Sequence, residues 1–323
     1  MKKIITNRLM IVSIVFIILI LYIIIDNNRI KIVKQEVIID NLPEEIDRFT
    51  ILQITDLHEK EFGKNQDRLI EKINSLSYDV IVFTGDMLKS SNSTNYPPFY
   101  KLIEGIKDKD NALFVPGNTD RYSYYLDSAV PYTKSDFIIG MERRGVMLLE
   151  SIYTVEKGIN KVYFTNFEFL IQNTKSLKTD ISSSDNFINQ QPLQYEISPS
   201  IDNANPDKDI LIGLTHYPAV DARLDYLLED SQYKVRDYDL ILAGHYHGGQ
   251  FRIPFLGAIF IPEGMYPRGG LLPPQDRVKG LWEYRGIKQY VSAGLGSSDA
   301  IPFLNFRVFN TPEINLITFR REK

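Results

Sequence analysis

Ile51-Leu52-Gln53-Ile54-Thr55-Asp56-Leu57-His58 and Val80-Ile81-Val82-Phe83-Thr84-Gly85-Asp86 carry the pattern that decides the fold. Each begins as a short apolar run of strand length, Ile51 to Thr55 and Val80 to Thr84, and each ends in side chains able to bind metal. Between them Arg68 to Leu76 has helical spacing at Leu69, Ile73 and Leu76, so the unit predicts strand, helix, strand. Units of this kind build parallel sheets whose functional groups emerge at the carboxyl ends of strands. Working outward, Tyr100 to Ile106 predicts the next helix and Ala112 to Val115 the third strand, which runs through Pro116 into Gly117-Asn118-Thr119-Asp120. Ile210 to Leu214 runs into Thr215-His216-Tyr217-Pro218, and Leu240 to Ala243 into Gly244-His245-Tyr246-His247-Gly248-Gly249-Gln250. Five strand-like runs thus end at five clusters of potential ligands, and from about Glu36 the chain predicts an α/β layered domain. Gln289 to Phe319 predicts further strands, with turns at Gly294, Gly296 and Pro312.

The chain has 4 histidines, and all of them fall in these clusters. In Asp56-Leu57-His58 the strand period of two sets carboxylate and imidazole on one side, where both can reach one ion. Gly85 permits a sharp exit before Asp86, whose carboxylate could bridge two cations. Pro116-Gly117 is a type II turn signal, which accounts for the turn but not for Asn118, a neutral oxygen donor. His245 and His247 lie among glycines, where backbone freedom lets two imidazoles converge. Each piece alone has an ordinary structural explanation. Together they would require every histidine to fall beside a strand end by accident. A mixed set of His, Asp and Asn suits Zn, Mn or Fe rather than Mg or Ca. The candidate ligands Asp56, His58, Asp86, Asn118, His216, His245 and His247 outnumber what one tetrahedral ion takes. Two divalent ions are therefore expected, about 3.5–4 Å apart with a bridging water as nucleophile. Asp86, Asn118 and His216 are the expected catalytic set.

Composition narrows the function class. A chain of 323 residues with 44% hydrophobic and 24% charged residues is ample for one large domain with an appendage. A net charge of -4 argues against a nucleic-acid surface, so no nucleic-acid partner is expected, and an anionic substrate must be held by local charge. The absence of cysteine removes disulfides, thiolate zinc sites and cysteine nucleophiles together.

Leu9 to Ile25 is apolar except for Ser13 and Tyr22 and reaches about 25 Å as a helix, the short end of what spans a bilayer core. Lys2, Lys3 and Arg8 precede it, and Asp26-Asn27-Asn28-Arg29 follows in place of a small-residue cleavage site. The reading is a short basic segment (1–8), a transmembrane anchor (9–25), a linker (26–36) and a catalytic domain (37–321) with a polar insertion at 172–208. A single-pass protein of the cell membrane with its catalytic domain outside the cytoplasm is expected, although Arg29, Lys31 and Lys34 after the stretch work against that orientation.

The motif order D-x-H, G-D, G-N-x-D, H and G-H-x-H resembles the calcineurin-like metallophosphoesterase superfamily. Gly244 to Gln250, Pro254-Phe255-Leu256-Gly257, and Ser292 to Gly296 followed by Pro312-Glu313-Ile314 are similar to its membrane-associated bacterial branch, the YkuE/YaeI-like phosphoesterases. The resemblance covers about Val37 to Phe319. It implies two mixed β-sheets packed as a sandwich and flanked by helices. It also implies that Asp56, His58 and His247 hold one metal, that Asn118, His216 and His245 hold the other, and that Asp86 bridges them. The implied activity is two-metal hydrolysis of a phosphodiester, pyrophosphate or phosphomonoester by a metal-bridging hydroxide, on a phosphorylated small molecule or a lipid near the membrane.

One departure matters. The superfamily usually places His where this chain has Thr119, and that His is commonly given the role of proton donor or phosphate contact. A threonine hydroxyl can bond a phosphate oxygen but supplies no proton near neutral pH, and Asp120 is then expected to orient the metal shell. The alternative motivated by Thr119 is a degenerate member that uses the fold as a binding scaffold. Arg121 and Arg268 could reach a phosphate, and Tyr122, Tyr124, Tyr125 and Tyr132 could form a substrate rim. Surface exposure and ordinary packing account for these six as well.

Overall fold

The structure, a computed structural model, describes residues 2–125, 133–171, 208–230, 233, 235–298 and 302–322. Val80–Phe83 (β3) shows how the layers arise. It is buried at every position because both faces are covered, Val80 and Val82 toward a second sheet and Ile81 and Phe83 toward helices.

Strands are numbered in chain order. The first sheet contains β1 (Lys31–Ile39), β2 (Thr50–Ile54), β3, β4 (Ala112–Phe114), β5 (Met147–Leu148) and β14 (Glu313–Arg321). Their order is β1-β14-β2-β3-β4-β5. From β2 to β5 neighbours run parallel, whereas β14 runs antiparallel to β2 and parallel to β1. The second sheet contains β6 (Tyr153–Lys157), β7 (Asn160–Asn166), β8 (Ile210–Leu214), β9 (Leu240–Ala243), β12 (Gly280–Tyr284) and β13 (Ile287–Val291) in the order β12-β13-β9-β8-β7-β6. A small antiparallel hairpin pairs β10 (Arg252–Ile253) with β11 (Gly257–Ala258).

Val37, Ile51, Val82 and Leu113 from the first sheet meet Phe164, Ile212, Leu214 and Leu242 from the second in one core, so the mixed sheets form a sandwich. The helices α2 (Asp67–Asn74), α3 (Pro97–Gly105) and α4 (Asp136–Glu142) cover the outer face of the first sheet. On the outer face of the second lie α5 (Phe167–Leu170) and α6 (Asp221–Glu229). α3 starts three residues before the sequence suggests, because Pro97 and Pro98 fall in its first turn, where a missing N–H costs nothing.

The N-terminal helix α1 (Lys2–Asn27) includes a 22-residue stretch, Thr6–Asn27, long and apolar enough to cross a membrane, and nearly all of it is uncovered by protein. Its last turn is fastened to the domain. Asn27 Nδ2 donates to the Arg307 carbonyl and Asn27 Oδ1 accepts from the Arg307 N–H, both at 2.7 Å, and Thr311 Oγ1 donates to Asp26 at 2.6 Å. The expected linker 26–36 is therefore corrected: Lys31 to Glu36 belong to β1, paired along its length with β14. In this edge strand Lys31, Lys34, Gln35 and Glu36 interrupt the apolar residues, with Val37 and Ile39 buried and Ile38 exposed, and this hides its first half from a search for apolar runs. Most of the polar insertion expected at 172–208 lies outside the described residues, as does Tyr132.

Candidate metal centre

The carboxyl ends of β2, β3, β4, β8 and β9 meet at one edge of the sandwich, and each continues into a ligand cluster. Turning side chains back across that edge requires sharp backbone reversals. Asp56, His58, Asp86, His245 and His247 all have positive φ, between 47° and 71°. For residues with a Cβ this left-handed conformation costs on the order of 1 kcal/mol each, which the surrounding structure must offset. Two glycines bring the turns into contact. A Cβ on Gly117 would lie 2.2 Å from Asp86 Oδ1, and one on Gly244 would lie 2.2 Å from Thr55 Oγ1 and 2.6 Å from Asp56 Oδ2.

Two groups of ligating atoms result, Asp56, His58, Asp86 and His247 in one and Asp86, His216 and His245 in the other, and they share Asp86. In the first, His58 Nε2 lies 3.2 Å from His247 Nε2 and 3.4 Å from Asp86 Oδ2, and His247 Nε2 lies 3.6 Å from Asp56 Oδ1. In the second, His216 Nε2 lies 3.2 Å from His245 Nδ1, 3.2 Å from Asn118 Oδ1 and 3.3 Å from Asp86 Oδ2. The same Asp86 oxygen thus faces both groups. All seven residues singled out in the sequence are brought together.

The donor set fits divalent cations. Ligand atoms bonded at about 2.0–2.2 Å to one first-row ion lie about 2.8–3.6 Å from one another, which is the spacing found in each group. Imidazole nitrogens packed against each other at 3.2 Å need a cation or a proton between them. Buried Nδ1 of His247 has no hydrogen-bond partner among the described residues. His216 Nδ1 instead donates to the Thr84 carbonyl at 2.9 Å, which fixes its tautomer and leaves the Nε2 lone pair for the centre.

Burial and the neighbouring charges shift these groups in opposite directions. Against burial, the His216 charge and hydrogen bond, with His58, hold the Asp86 carboxyl well below the carboxylate range. Against burial again, Asp86 pushes His216 up to about 9. Burial and His216 lower His245 to about 3, and burial and His58 take His247 well below its usual value. Burial raises Asp56 to about 7. Metal binding requires neutral imidazoles beside an ionised carboxylate; His245 and His247 are already neutral near pH 7, whereas His216, held as an imidazolium by Asp86, releases its proton when a cation takes that place.

Asp120 orients this shell. Its carboxylate accepts the backbone N–H groups of Asp86, Met87, Leu88 and Gly117 at 2.7–3.1 Å, so it clamps the Asp86 loop to the Asn118 loop. Thr119 N–H donates to Asp86 Oδ1 at 2.9 Å, while the Thr119 hydroxyl donates to the Leu88 carbonyl at 2.6 Å and so spends its proton on the loop. Arg121 donates to the Ser91 carbonyl at 3.1 Å; Tyr124 is buried, and Tyr122, Tyr125 and Arg268 are exposed. Arg307 was invisible to sequence reasoning. It is fully buried, donates Nε to the Gly296 carbonyl at 2.6 Å, and its charge lowers the pKa of Asp56 and of His247. A lone arginine in an irregular loop offers no periodic signal that could have singled it out. Asn310 was missed for the same reason, and it donates to the His247 carbonyl at 2.6 Å; Gln53, the polar residue inside the apolar run of β2, ties Thr84 to the Ala243 carbonyl across the two sheets.

A family model described as calcineurin-like phosphoesterase matches residues 49–249. The chain is 27% identical over 284 residues to the uncharacterized metallophosphoesterase YkuE of Bacillus subtilis, spanning 86% of this chain and 82% of that protein. It is 23% identical over 277 residues to the uncharacterized metallophosphoesterase YkoQ of the same organism, spanning 85% and 84%. Among solved structures, a 5'-nucleotidase precursor from Thermus thermophilus aligns with a TM-score of 0.37 at 11% identity, over 76% of this chain and 49% of that one.

Proposed function

Because the chain belongs to the calcineurin-like phosphoesterase family, and is thereby a metal-dependent phosphoester hydrolase, we propose that it is a membrane-anchored enzyme working at two divalent cations. Asp56, His58, Asp86 and His247 hold one cation, and Asp86, Asn118, His216 and His245 hold the other. The observation that carries this reading is the sharing of Asp86 between two buried ligand groups. When bound, the cations neutralise the phosphate charge and lower the pKa of water so that it attacks phosphorus near neutral pH. Mn, Zn and Fe all suit these donors.

The chain's own groups do the rest. Asp86 keeps the two halves of the centre at a fixed separation through one oxygen, and Thr119 N–H and the Asp120 clamp hold that carboxylate still. Thr84 keeps His216 in the metal-binding tautomer. Asn118, an exposed residue, contributes a neutral oxygen beside His216. With no imidazole at position 119 and the Thr119 hydroxyl donated to Leu88, the leaving oxygen takes its proton from solvent. Phosphodiesters, pyrophosphates and phosphomonoesters with stable leaving groups are therefore the preferred substrates.

α1 anchors the domain outside the cytoplasm, and protease added to intact cells is expected to reach it; full protection would reverse the orientation without touching the chemistry. For the centre itself, Asp86→Asn and His216→Ala should each lower hydrolysis of bis(p-nitrophenyl) phosphate by at least about 100-fold, and a chelator should abolish it in the wild type. Metal content should fall from two equivalents in both variants. Either variant with wild-type turnover would refute the two-cation assignment.

A further inference from the structure

A cleft of about 580 Å³ runs from His58 to α1, lined by Ile20, Ile23 and Ile24 of that helix together with Lys60, Lys89 and Phe306. Positions 20, 23 and 24 share one helix face, so α1 turns an aliphatic wall toward the metal centre. We propose that the phosphoester cleaved here is part of a membrane amphiphile, whose hydrocarbon lies against this wall while its phosphate reaches the centre at His58. The inference rests on the two-cation reading above and names the substrate class of that same site.

Three further observations support it. The wall is held in place: besides the Asn27 to Arg307 bonds, Tyr22 packs against Phe309 with ring centroids 5.4 Å apart. The wall also lies at the right depth. A span of 22 residues is about 33 Å long, close to the hydrocarbon thickness of a bilayer, so Ile20 to Ile24 occupy its final turns, where head groups begin. Finally, the surface around the helix end is apolar. Phe303 is 77% exposed, and Phe255, at the tip of the β10–β11 hairpin, is fully exposed and lines a hollow with Phe309. Such a rim is costly in water and stable in a membrane interface. In a chain of net charge -4, Lys89 supplies local positive charge in the cleft for the phosphate, while Lys60 donates to the Asn27 carbonyl and so ties the end of α1 to the cleft. A water-soluble phosphate ester would leave the isoleucine wall unused. A phospholipid and a polyprenyl diphosphate share the required chemistry, a phosphoester joined to a long hydrocarbon.

The test uses the full-length, Mn-loaded protein in detergent micelles and a series of alkyl p-nitrophenyl phosphodiesters from methyl to dodecyl. The wild-type kcat/KM should rise along the series, by up to about fourfold for each methylene that becomes buried. Ile23→Trp/Ile24→Trp, which fills the cleft with apolar volume, should lower the dodecyl-to-methyl ratio at least tenfold, and Ile20→Ala, the milder change, should lower it several-fold. Metal content verifies the fold of each variant. A flat series in an active enzyme, or variants with the wild-type ratio, would overturn the proposal while leaving the two-cation reading intact. No hydrolysis of even the methyl diester at full metal loading would instead refute the underlying reading. Vesicles of phosphatidylcholine carrying either phosphatidylglycerol or a polyprenyl diphosphate separate the two sources, and release of phosphorylated product from neither counts against the proposal.

Discussion

Gly117→Ala tests the claim that Asp86 serves both halves of the centre. The new Cβ would lie 2.2 Å from Asp86 Oδ1, 2.5 Å from Asp86 N and 2.9 Å from Asp86 Cγ, where real Cβ contacts stay beyond 3.0 Å. The carboxylate must move by at least about 0.8 Å, and the backbone nitrogen beside it cannot yield freely because its N–H is clamped by Asp120. Overpacking of this kind costs about 1–3 kcal/mol of stability, too little to unfold a domain of this size. A misplacement of about 1 Å at a reacting centre costs on the order of 100-fold in rate. The expected outcome is a folded protein whose turnover falls about 100-fold and whose affinity for both cations weakens together. Gly244→Ala is the comparison variant, since its Cβ would meet Thr55 Oγ1 at 2.2 Å and Asp56 Oδ2 at 2.6 Å and so presses on Asp56 rather than on the shared Asp86, reaching the other group only through His245, whose N–H bonds the Asp56 carboxylate. Metal titration followed by calorimetry should show the site that contains Asp56 weakened most in Gly244→Ala and both sites weakened alike in Gly117→Ala. If Gly117→Ala binds two cations as tightly as the wild type and turns over within threefold of it, the reasoning from Asp86 is wrong.

The other predictions concern stability and the leaving group. Burial raises Asp239 to about 6, against the Leu211 N–H it accepts and Lys288. Its charge therefore costs nothing below about pH 4, costs more as pH rises to about 6, and costs a constant amount above that. Asp239→Asn, which keeps an acceptor for Leu211, should add on the order of 2–3 kcal/mol at pH 7.5 and almost nothing at pH 4 in urea unfolding; equal gains at both pH values would contradict the burial argument. A truncation that begins at Asp26 should be more stable than one that begins at Lys31 by about 1–3 kcal/mol, because only the former keeps the Asn27 bonds to Arg307 and the Lys60 bond to the Asn27 carbonyl. Identical melting of the two would show that the junction contributes nothing. Thr119→Val should cost about 1 kcal/mol through the lost bond to Leu88 and leave the dependence of rate on leaving-group pKa unchanged; a changed slope would mean that the hydroxyl handles a proton.

The sandwich core and the candidate ligands were legible in the chain because both are local patterns. A buried parallel strand must be apolar throughout, so Val80–Phe83 and Leu240–Ala243 stand out as runs, and the residue after a strand end is delivered to the sheet's edge. Composition alone likewise restricts the ligands to imidazole and oxygen. The partition into two groups was not a local property. His58 meets His247 and His216 meets Asn118 only because the two sheets pack with their carboxyl edges together, and those relations span 189 and 98 residues. Lys31 to Glu36 of β1 fall in the expected linker because an edge strand, wet along one side, need not be apolar, and only the pairing with β14 at the far end of the chain reveals them. Arg307, Asp120 as a four-fold backbone acceptor, and the isoleucine wall beside His58 are likewise tertiary. Each depends on which groups burial leaves facing one another, and the free energy of such contacts is set by distance and desolvation, which no pattern of neighbours along the chain encodes.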